Sequence, residues 1–267
     1  LLTFWRYAFG NKHKKTKLAK SMQVNKEWFS EWFDSPYYHI LYKNRDEREA
    51  EFFLRNLVDR LSLMHEQKLI DLACGKGRHS IYLNSLGFDV MGVDLATQSI
   101  DSAKASENSK LHFEVQDLRH LPYQGMFDVA LNLFTSFGYF DCDDTNQNVM
   151  RQVNHILKPN GLLVIDFMNV DCVLDSLVPF EQKIVEGITF SITKEVKNGI
   201  LLKRIEFRDN GKTYSFSEEV QVLRLADFER LFDIAGFDKV AVYGNYNLDE
   251  FDVKKADRLI IVGRKHV

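Results

Sequence analysis

The stretch richest in chemical potential is Leu69–Ser80, LIDLACGKGRHS. An apolar run ends in a turn holding Gly75 and Gly77, and a helical pattern starts just after. Glycine at such a turn lets the backbone reverse sharply and approach a ligand with no Cβ in the way. A dinucleotide fingerprint would carry a third glycine where Ser80 stands, so the turn alone is equally an ordinary strand-to-helix connection. Three acids narrow the reading. Asp71 precedes the turn, Asp94 ends the next apolar run 17 residues after Gly77, and Asp117 follows a third run in EVQDLR. Singly, each is a cap or loop residue. At the ends of three parallel strands they share one sheet edge, where open α/β sheets bind ligands.

Their chemistry selects among nucleotides. A carboxylate offers two acceptor oxygens, so Asp94 can take both hydroxyls of a ribose. Asp117 can accept an adenine amino group between apolar walls such as Leu95 and Leu118. Asp71 would repel a pyrophosphate on the adjacent turn and suits a cationic amine or sulfonium. S-adenosylmethionine combines ribose, adenine, ammonium and sulfonium with no phosphate. A nicotinamide-dependent oxidoreductase is the alternative. It needs the complete G-x-G-x-x-G and leaves Asp71 without a role.

These residues require strands and helices in strict alternation. Short apolar runs at Lys68–Ala73, Phe88–Val93, Leu111–Gln116, Phe127–Phe134 and Leu162–Phe167 predict five strands. The fourth is almost wholly apolar, as a strand covered on both faces should be. Helices are predicted over 46–64, 78–86, Thr97–Ser106 with a threonine cap, and Asp144–Leu157, which Pro159-Asn160-Gly161 terminates. This is an α/β pattern, a doubly wound and mostly parallel sheet with right-handed crossovers. From about 183 to 224 the period changes to two (Ile188, Phe190, Ile192; Tyr214, Phe216), with turn signals at Asn198-Gly199 and Asn210-Gly211. Three antiparallel strands are predicted there, as a lid or a dimer surface. A helix over Leu225–Ala235 with Gly236 at its end, then strands 238–243 and 257–263, close the sheet. The expected division is a helical cap over 22–66, a core over 67–182 and 225–267, and an insert over 183–224. Within the cap, Trp28, Phe29, Trp32, Phe33, Tyr37, Tyr38 and Tyr42 crowd a short helix predicted at 26–33.

The 267 residues carry a net charge of −3, with 45% hydrophobic and 27% charged side chains, an ordinary globular balance. Six of the basic residues fall within 1–21, which contain no acid, so the rest carries −9. An acidic body argues against nucleic acid as partner. The first methionine is Met22, and residues 1–21 are expected to be a start-site artefact in preference to a binding tail. Three widely spaced cysteines, Cys74, Cys142 and Cys172, make no CxxC or zinc pattern. No signal segment or membrane span is visible, so a cytoplasmic location is expected.

In combination these motifs resemble the class I S-adenosylmethionine-dependent methyltransferases, over about residues 45–170 and 225–264. The resemblance implies a Rossmann-like sheet of seven strands with the last antiparallel. It implies that Ala73, Cys74, Gly75 and Gly77 wrap the methionine part, that Asp94 holds the ribose, and that Asp117, beside Leu95 and Leu118, holds the adenine. Asn132 and Leu133, in NLFTSFGYF, stand where the family's fourth strand opens onto the transferred methyl. The N-terminal aromatics and the insert are similar to those of small-molecule and sugar-amine N-methyltransferases. That likeness implies that Tyr37 and Tyr42 close over the cofactor and acceptor, and that Arg78 meets the cofactor carboxylate.

The implied function is methyl transfer to a small-molecule acceptor, nitrogen before oxygen, with a non-catalytic cofactor-binding protein as a further alternative and a homodimer as an open option. The fourth-strand segment has no Asn/Asp-Pro-Pro-Tyr, and no paired cysteines suggest covalent base methylation. Asp141, Asp143 and Asp144 read better as a loop ending in a helix cap than as a metal site, so no metal is expected. Methyl transfer from a sulfonium is an in-line displacement that needs alignment and a dry, aromatic pocket. Phe137 and Tyr139 are candidates for its acceptor side. His39 and His79 are the nearby titratable groups, each more simply structural, and no catalytic base is assigned.

Overall fold

The computed structural model describes residues 28–43, 47–140 and 142–267. The basic segment 1–21 and Asp141 lie outside the described residues. Among the described residues, no helix is long and apolar enough to cross a membrane.

The described residues open with two short helices, α1 (Trp28–Phe33) and α2 (Pro36–Leu41). Ser35 caps α2 by accepting the Tyr37 N–H, with Pro36 at the first helical position, where no intrahelical N–H is needed. In α3 (Glu47–Leu61), Ala50, Phe53, Leu54 and Leu57 recur at threes and fours and are buried. Strand and helix then alternate: β1 (Lys68–Leu72), α4 (Arg78–Ser85), β2 (Asp89–Asp94), α5 (Thr97–Ala103), β3 (Leu111–Val115), β4 (Phe127–Asn132), α6 (Asp143–Ile156) and β5 (Leu157–Met168). After α7 (Val170–Asp175) come the insert strands β6 (Phe180–Val185), β7 (Ile188–Lys197), β8 (Ile200–Asp209) and β9 (Lys212–Gln221). The chain ends with α8 (Leu225–Ala235), β10 (Phe237–Tyr243) and β11 (Arg258–Lys265).

Among the described residues, the main sheet has seven strands in the order β10-β11-β5-β4-β1-β2-β3. β11 runs antiparallel to both β5 and β10, and the other pairings are parallel. The chain winds outward from β1 through β2 to β3, then returns to place β4 on the other side of β1. That reversal opens a crevice beyond the C-terminal ends of β1 and β4. One core lies under α6 and α8 and includes Phe127, Phe167, Phe228 and Phe232. A second lies under α3, α4 and α5 and includes Phe53, Phe88, Phe113 and Ile100. A third joins Trp28, Trp32 and Leu41 to Phe190, Ile192, Ile205 and Phe207 on the insert.

The insert is a separate antiparallel sheet of four strands, not three, in the order β6-β7-β8-β9. The extra strand, FEQKIV, lies at an edge with no buried residue, so it lacks the apolar alternation that marks half-buried strands. Its turn to β7 is Glu186-Gly187, with both φ positive at 52° and 80°. This matches the conformation of Asn198-Gly199 and Asn210-Gly211, with glutamate where the usual asparagine would signal it.

Two local expectations are corrected. Thr97 is the first residue of α5, and Ala96 stands at the cap position; the Asp94 carboxylate accepts the Ala96 N–H instead. Pro159-Asn160-Gly161 does not separate helix from strand. Leu157 already pairs with Phe127, and Val129 next pairs with Leu162, so the tripeptide forms a bulge within β5.

Candidate functional site

The glycine turn follows β1 directly. Ala73, Gly75 and Gly77 have φ of 61°, 56° and 78°, a succession that favours glycine. Cys74 N–H donates to Val93 O at 3.0 Å, fastening the turn to β2. The Asp94 carboxylate accepts the Gly75 N–H at 2.7 Å through one oxygen and the Ala96 N–H at 2.8 Å through the other. One side chain thus clamps the turn to the start of α5. Burial raises the Asp94 pKa, and the backbone N–H groups of Ala96, Gly75 and Leu95 oppose that rise.

The two glycines serve different ends. A Cβ on Gly75 would meet nothing within 4 Å, because the position faces open space. A Cβ on Gly77 would lie 2.4 Å from the Phe113 ring. Gly75 therefore leaves room for a ligand, and Gly77 lets α4 approach β3.

A cleft of about 830 Å3 opens over this turn. Ala73, Cys74, Gly75, Arg78, Asp94, Leu133, Tyr42 and Tyr139 line it, with Trp28, Phe33, Tyr38 and Phe134. A narrow recess of about 80 Å3 shares Phe33, Ala73, Asp94, Ala96, Ser136 and Tyr139 with the cleft and continues to Leu95, Asp117, Leu118, Phe137 and Phe140. The sequence candidates Asp94, Asp117, Leu95 and Leu118 meet at this recess.

Several candidates lie elsewhere. Asp71 is 1% exposed and lies beneath the turn, accepting the Ser80 hydroxyl at 2.7 Å. It does not line the cleft. Burial lifts its pKa to about 6, against the opposing Ser80 hydrogen bond. Asn132 is buried, and its amide bridges Leu72 O and Ser136 O, each at 3.2 Å, tying the loop after β4 to the end of β1. Tyr37 does not close over the cleft: its ring packs at a tilt against Phe207 and Tyr214 on the insert, and its hydroxyl donates to Asp209 at 2.9 Å. Phe137 lines the recess and not the larger cleft, and packs on Phe228 in the core.

Asp117 is held by its own neighbour. The Arg119 guanidinium and backbone N–H both donate to it, and this pairing keeps its pKa below the usual carboxylate range despite partial burial. Arg78 lies 4.6 Å over the Phe134 ring and contacts His79 at 3.3 Å. His79 stacks on the same ring, and His39 packs on Tyr38. At the next loop, Asp143 is the first residue of α6, behind Cys142 at the cap, and both its oxygens pair with Arg230.

Further cleft residues carried no motif. Phe134 and Thr135 follow β4 with positive φ of 57° and 62°, a costly conformation outside glycine. Asp166, fully buried on β5, holds it. Asp166 Oδ2 accepts the Phe134 N–H at 2.9 Å and Asp166 O accepts the Thr135 N–H at 2.8 Å. Arg258 neutralises Asp166 at 2.7 Å and lines the cleft. An aspartate within the apolar run LLVIDFM is the signal for this pair. The insert adds Lys194, Lys203, Glu181 and Glu218, charges placed where the apolar alternation of its strands breaks.

The residues around the turn fit S-adenosylmethionine. The open position over Gly75 is a cradle that a side chain would fill. Asp94 has further acceptor capacity beyond its two N–H partners and lines both cleft and recess.

Comparison with known proteins gives the same direction. Residues 69–161 match a family described as a methyltransferase domain. The chain is similar to a glycine/sarcosine N-methyltransferase of Halorhodospira halochloris, 27% identical over 241 residues and covering 86% of each chain. In fold it is similar to an S-adenosylmethionine-dependent methyltransferase of Clostridium acetobutylicum (TM-score 0.73, 17% identity, 86% of this chain and 96% of that one). It is also similar to a sugar N-methyltransferase of Streptoalloteichus (TM-score 0.69, 17% identity, 98% of this chain and 100% of that one).

Proposed function

We propose that this chain, which belongs to the class I S-adenosylmethionine-dependent methyltransferases, methylates the nitrogen of a small-molecule amine. The observation that carries the reading is the roof over the cleft. α1, α2 and the insert sheet close the cleft to about 830 Å3, which suits a metabolite-sized acceptor. The activities for which the similar glycine/sarcosine and sugar N-methyltransferases are named support nitrogen as the acceptor atom.

In this reading Asp94 takes the ribose hydroxyls, the Ala73–Gly77 turn receives the methionine part, and Asp117 with Leu95 and Leu118 receives the adenine. Bound there, S-adenosylmethionine supplies a methyl group already activated on a sulfonium. The protein's share is alignment and exclusion of water. Orientation of the two reactants contributes on the order of 7 kcal/mol. Phe134 and Tyr139, on the loop that Asp166 and Arg258 hold, give the reacting centre a rigid aromatic wall. Aromatic faces attract a cationic centre, and their rigidity keeps the approach in line. His39 and His79 line the cleft, and neither is assigned as a base.

Calorimetry with S-adenosylmethionine and with NAD, followed by transfer of a labelled methyl group to a panel of amines and alcohols, tests the reading. Binding of S-adenosylmethionine with label on amine nitrogen is expected. Label on oxygen alone, or binding of NAD alone, would refute it.

A further inference from the structure

The cleft-side face of the insert sheet is apolar along each strand until one row. Phe190 and Ile192 precede Lys194 on β7, Ile205 and Phe207 follow Lys203 on β8, and Phe216 precedes Glu218 on β9. These residues alternate with period two and so share one face. The register places Lys194 opposite Lys203, and Lys203 opposite Glu218. Glu181 on β6 completes the row through Lys194, at 2.6 Å. All four line the cleft.

Two features of this row need an explanation beyond packing. Like charges directly opposite across strands destabilise a sheet, yet Lys194 and Lys203 occupy directly paired positions here, each only about a fifth exposed at 25% and 17%. Burial and the neighbouring Lys194 hold Lys203 below the usual lysine range, while Glu218 works against them. Around the pair, the partners are arranged to fix the ammonium groups in place. Glu218 accepts from Trp32 Nε1 at 2.8 Å and from the Tyr42 hydroxyl at 2.6 Å, and its other oxygen pairs with Lys203 at 3.3 Å. Lys203 also donates to the Tyr42 hydroxyl and lies 4.7 Å over that ring.

We propose that the methyl acceptor bears a carboxylate and that Lys194 and Lys203 hold it between them. The inference rests on the methyl-transfer reading above and names the acceptor class, an amine joined to a carboxylic acid. The row of two lysines and two glutamates is neutral, each lysine pairing with one glutamate, so a monoanion lying between the lysines adds a single charge to it. A dianion such as phosphate would overcharge the same row against Glu181 and Glu218. Held by its acid group at the insert, the acceptor extends its amine toward the aromatic wall at Phe134 and Tyr139.

The test compares amines that differ only in the acid group. Glycine, β-alanine, 4-aminobutyrate and 6-aminohexanoate span the chain lengths. Each is assayed against its amide, and aminomethylphosphonate supplies the dianion. The wild-type protein is expected to favour a carboxylate over its amide by about tenfold or more in kcat/KM, the weight of a charged hydrogen bond. Lys194→Met and Lys203→Met should each reduce that preference by about tenfold, and Lys203→Arg should retain part of it. Calorimetry with S-adenosylmethionine checks that each variant keeps its cofactor site, and the wild-type comparison needs no variant. Equal rates on acid and amide, preference for the phosphonate, or a preference that survives both lysine replacements would overturn the proposal. So would transfer to no member of the panel by a protein that binds S-adenosylmethionine. Failure to bind S-adenosylmethionine would instead remove the methyl-transfer reading beneath it.

Discussion

At one end of the cleft, Asp94 reaches Ala96 two residues along the chain and Gly75 nineteen residues back. At the other, Tyr42 reaches Glu218 across 176 residues and Trp32 reaches the same carboxylate across 186. The glycine-turn end is built by neighbouring strands of one parallel sheet, whose order brings short loops to a common edge. The insert end is built where two short helices from one end of the chain lie on a second sheet from much further along. The first arrangement follows once the strands pair. The second needs both sheets and the helices in place before any of its contacts exists.

That contrast predicts separable losses. Asp94→Ala removes the acceptor of two backbone N–H groups as well as the proposed ribose contact. Charged hydrogen bonds contribute about 1.5–3 kcal/mol each, so S-adenosylmethionine affinity should fall on the order of 100-fold or more by calorimetry. A variant that binds within threefold of wild type would show that the clamp is dispensable.

Gly77→Ala should cost about 3 kcal/mol in urea unfolding, combining an unfavourable φ with a ring 2.4 Å from the new Cβ. Gly75→Ala meets no such ring and should cost about 1 kcal/mol of stability, while weakening cofactor binding. Equal stability losses for the two would contradict the division between packing and ligand glycines.

Asp71 gives a pH signature. Its folded pKa of about 6 exceeds the ordinary carboxylate value, so the folded state binds more protons between pH 4 and 6. Stability from this group is therefore greatest at low pH and declines as pH rises through that window, by up to about 3 kcal/mol. Asp71→Asn should lack this component, so its stability relative to wild type should increase from pH 4 to pH 7. Denaturation curves at unit steps of pH read the difference, and a constant offset would place the cost outside Asp71.

An effect confined to the acceptor is expected at the insert end. Tyr42→Phe removes one hydrogen bond to Glu218, worth about 1–2 kcal/mol. Acceptor KM should rise about tenfold with S-adenosylmethionine affinity unchanged. A matching loss of cofactor affinity would join the two ends into one site.

The sequence carried the sheet and the turn because their signals are local. Buried parallel strands read as short apolar runs, and a sharp turn against a ligand demands glycine at Gly75. It missed β6, whose exposed edge position leaves no alternation to read, and the bulge at Pro159-Asn160-Gly161, which looks identical to a helix stop. Tyr37 and Tyr42 are five residues apart in one aromatic run, yet only Tyr42 reaches the cleft. Composition does not say which way a ring turns when a sheet from elsewhere in the chain packs on it.

Periodicity and the spacing of Gly75, Asp94 and Asp117 thus fix the α/β sheet and bring these residues to one edge, because parallel pairing leaves few other arrangements. The burial of Asp71 beneath the turn, the clamp of Asp166 and Arg258 on Phe134 and Thr135, and the facing of Lys194 by Lys203 belong to the tertiary structure alone. Each depends on the register and packing of segments distant in the chain, and side-chain charge acquires its meaning there from what is excluded around it.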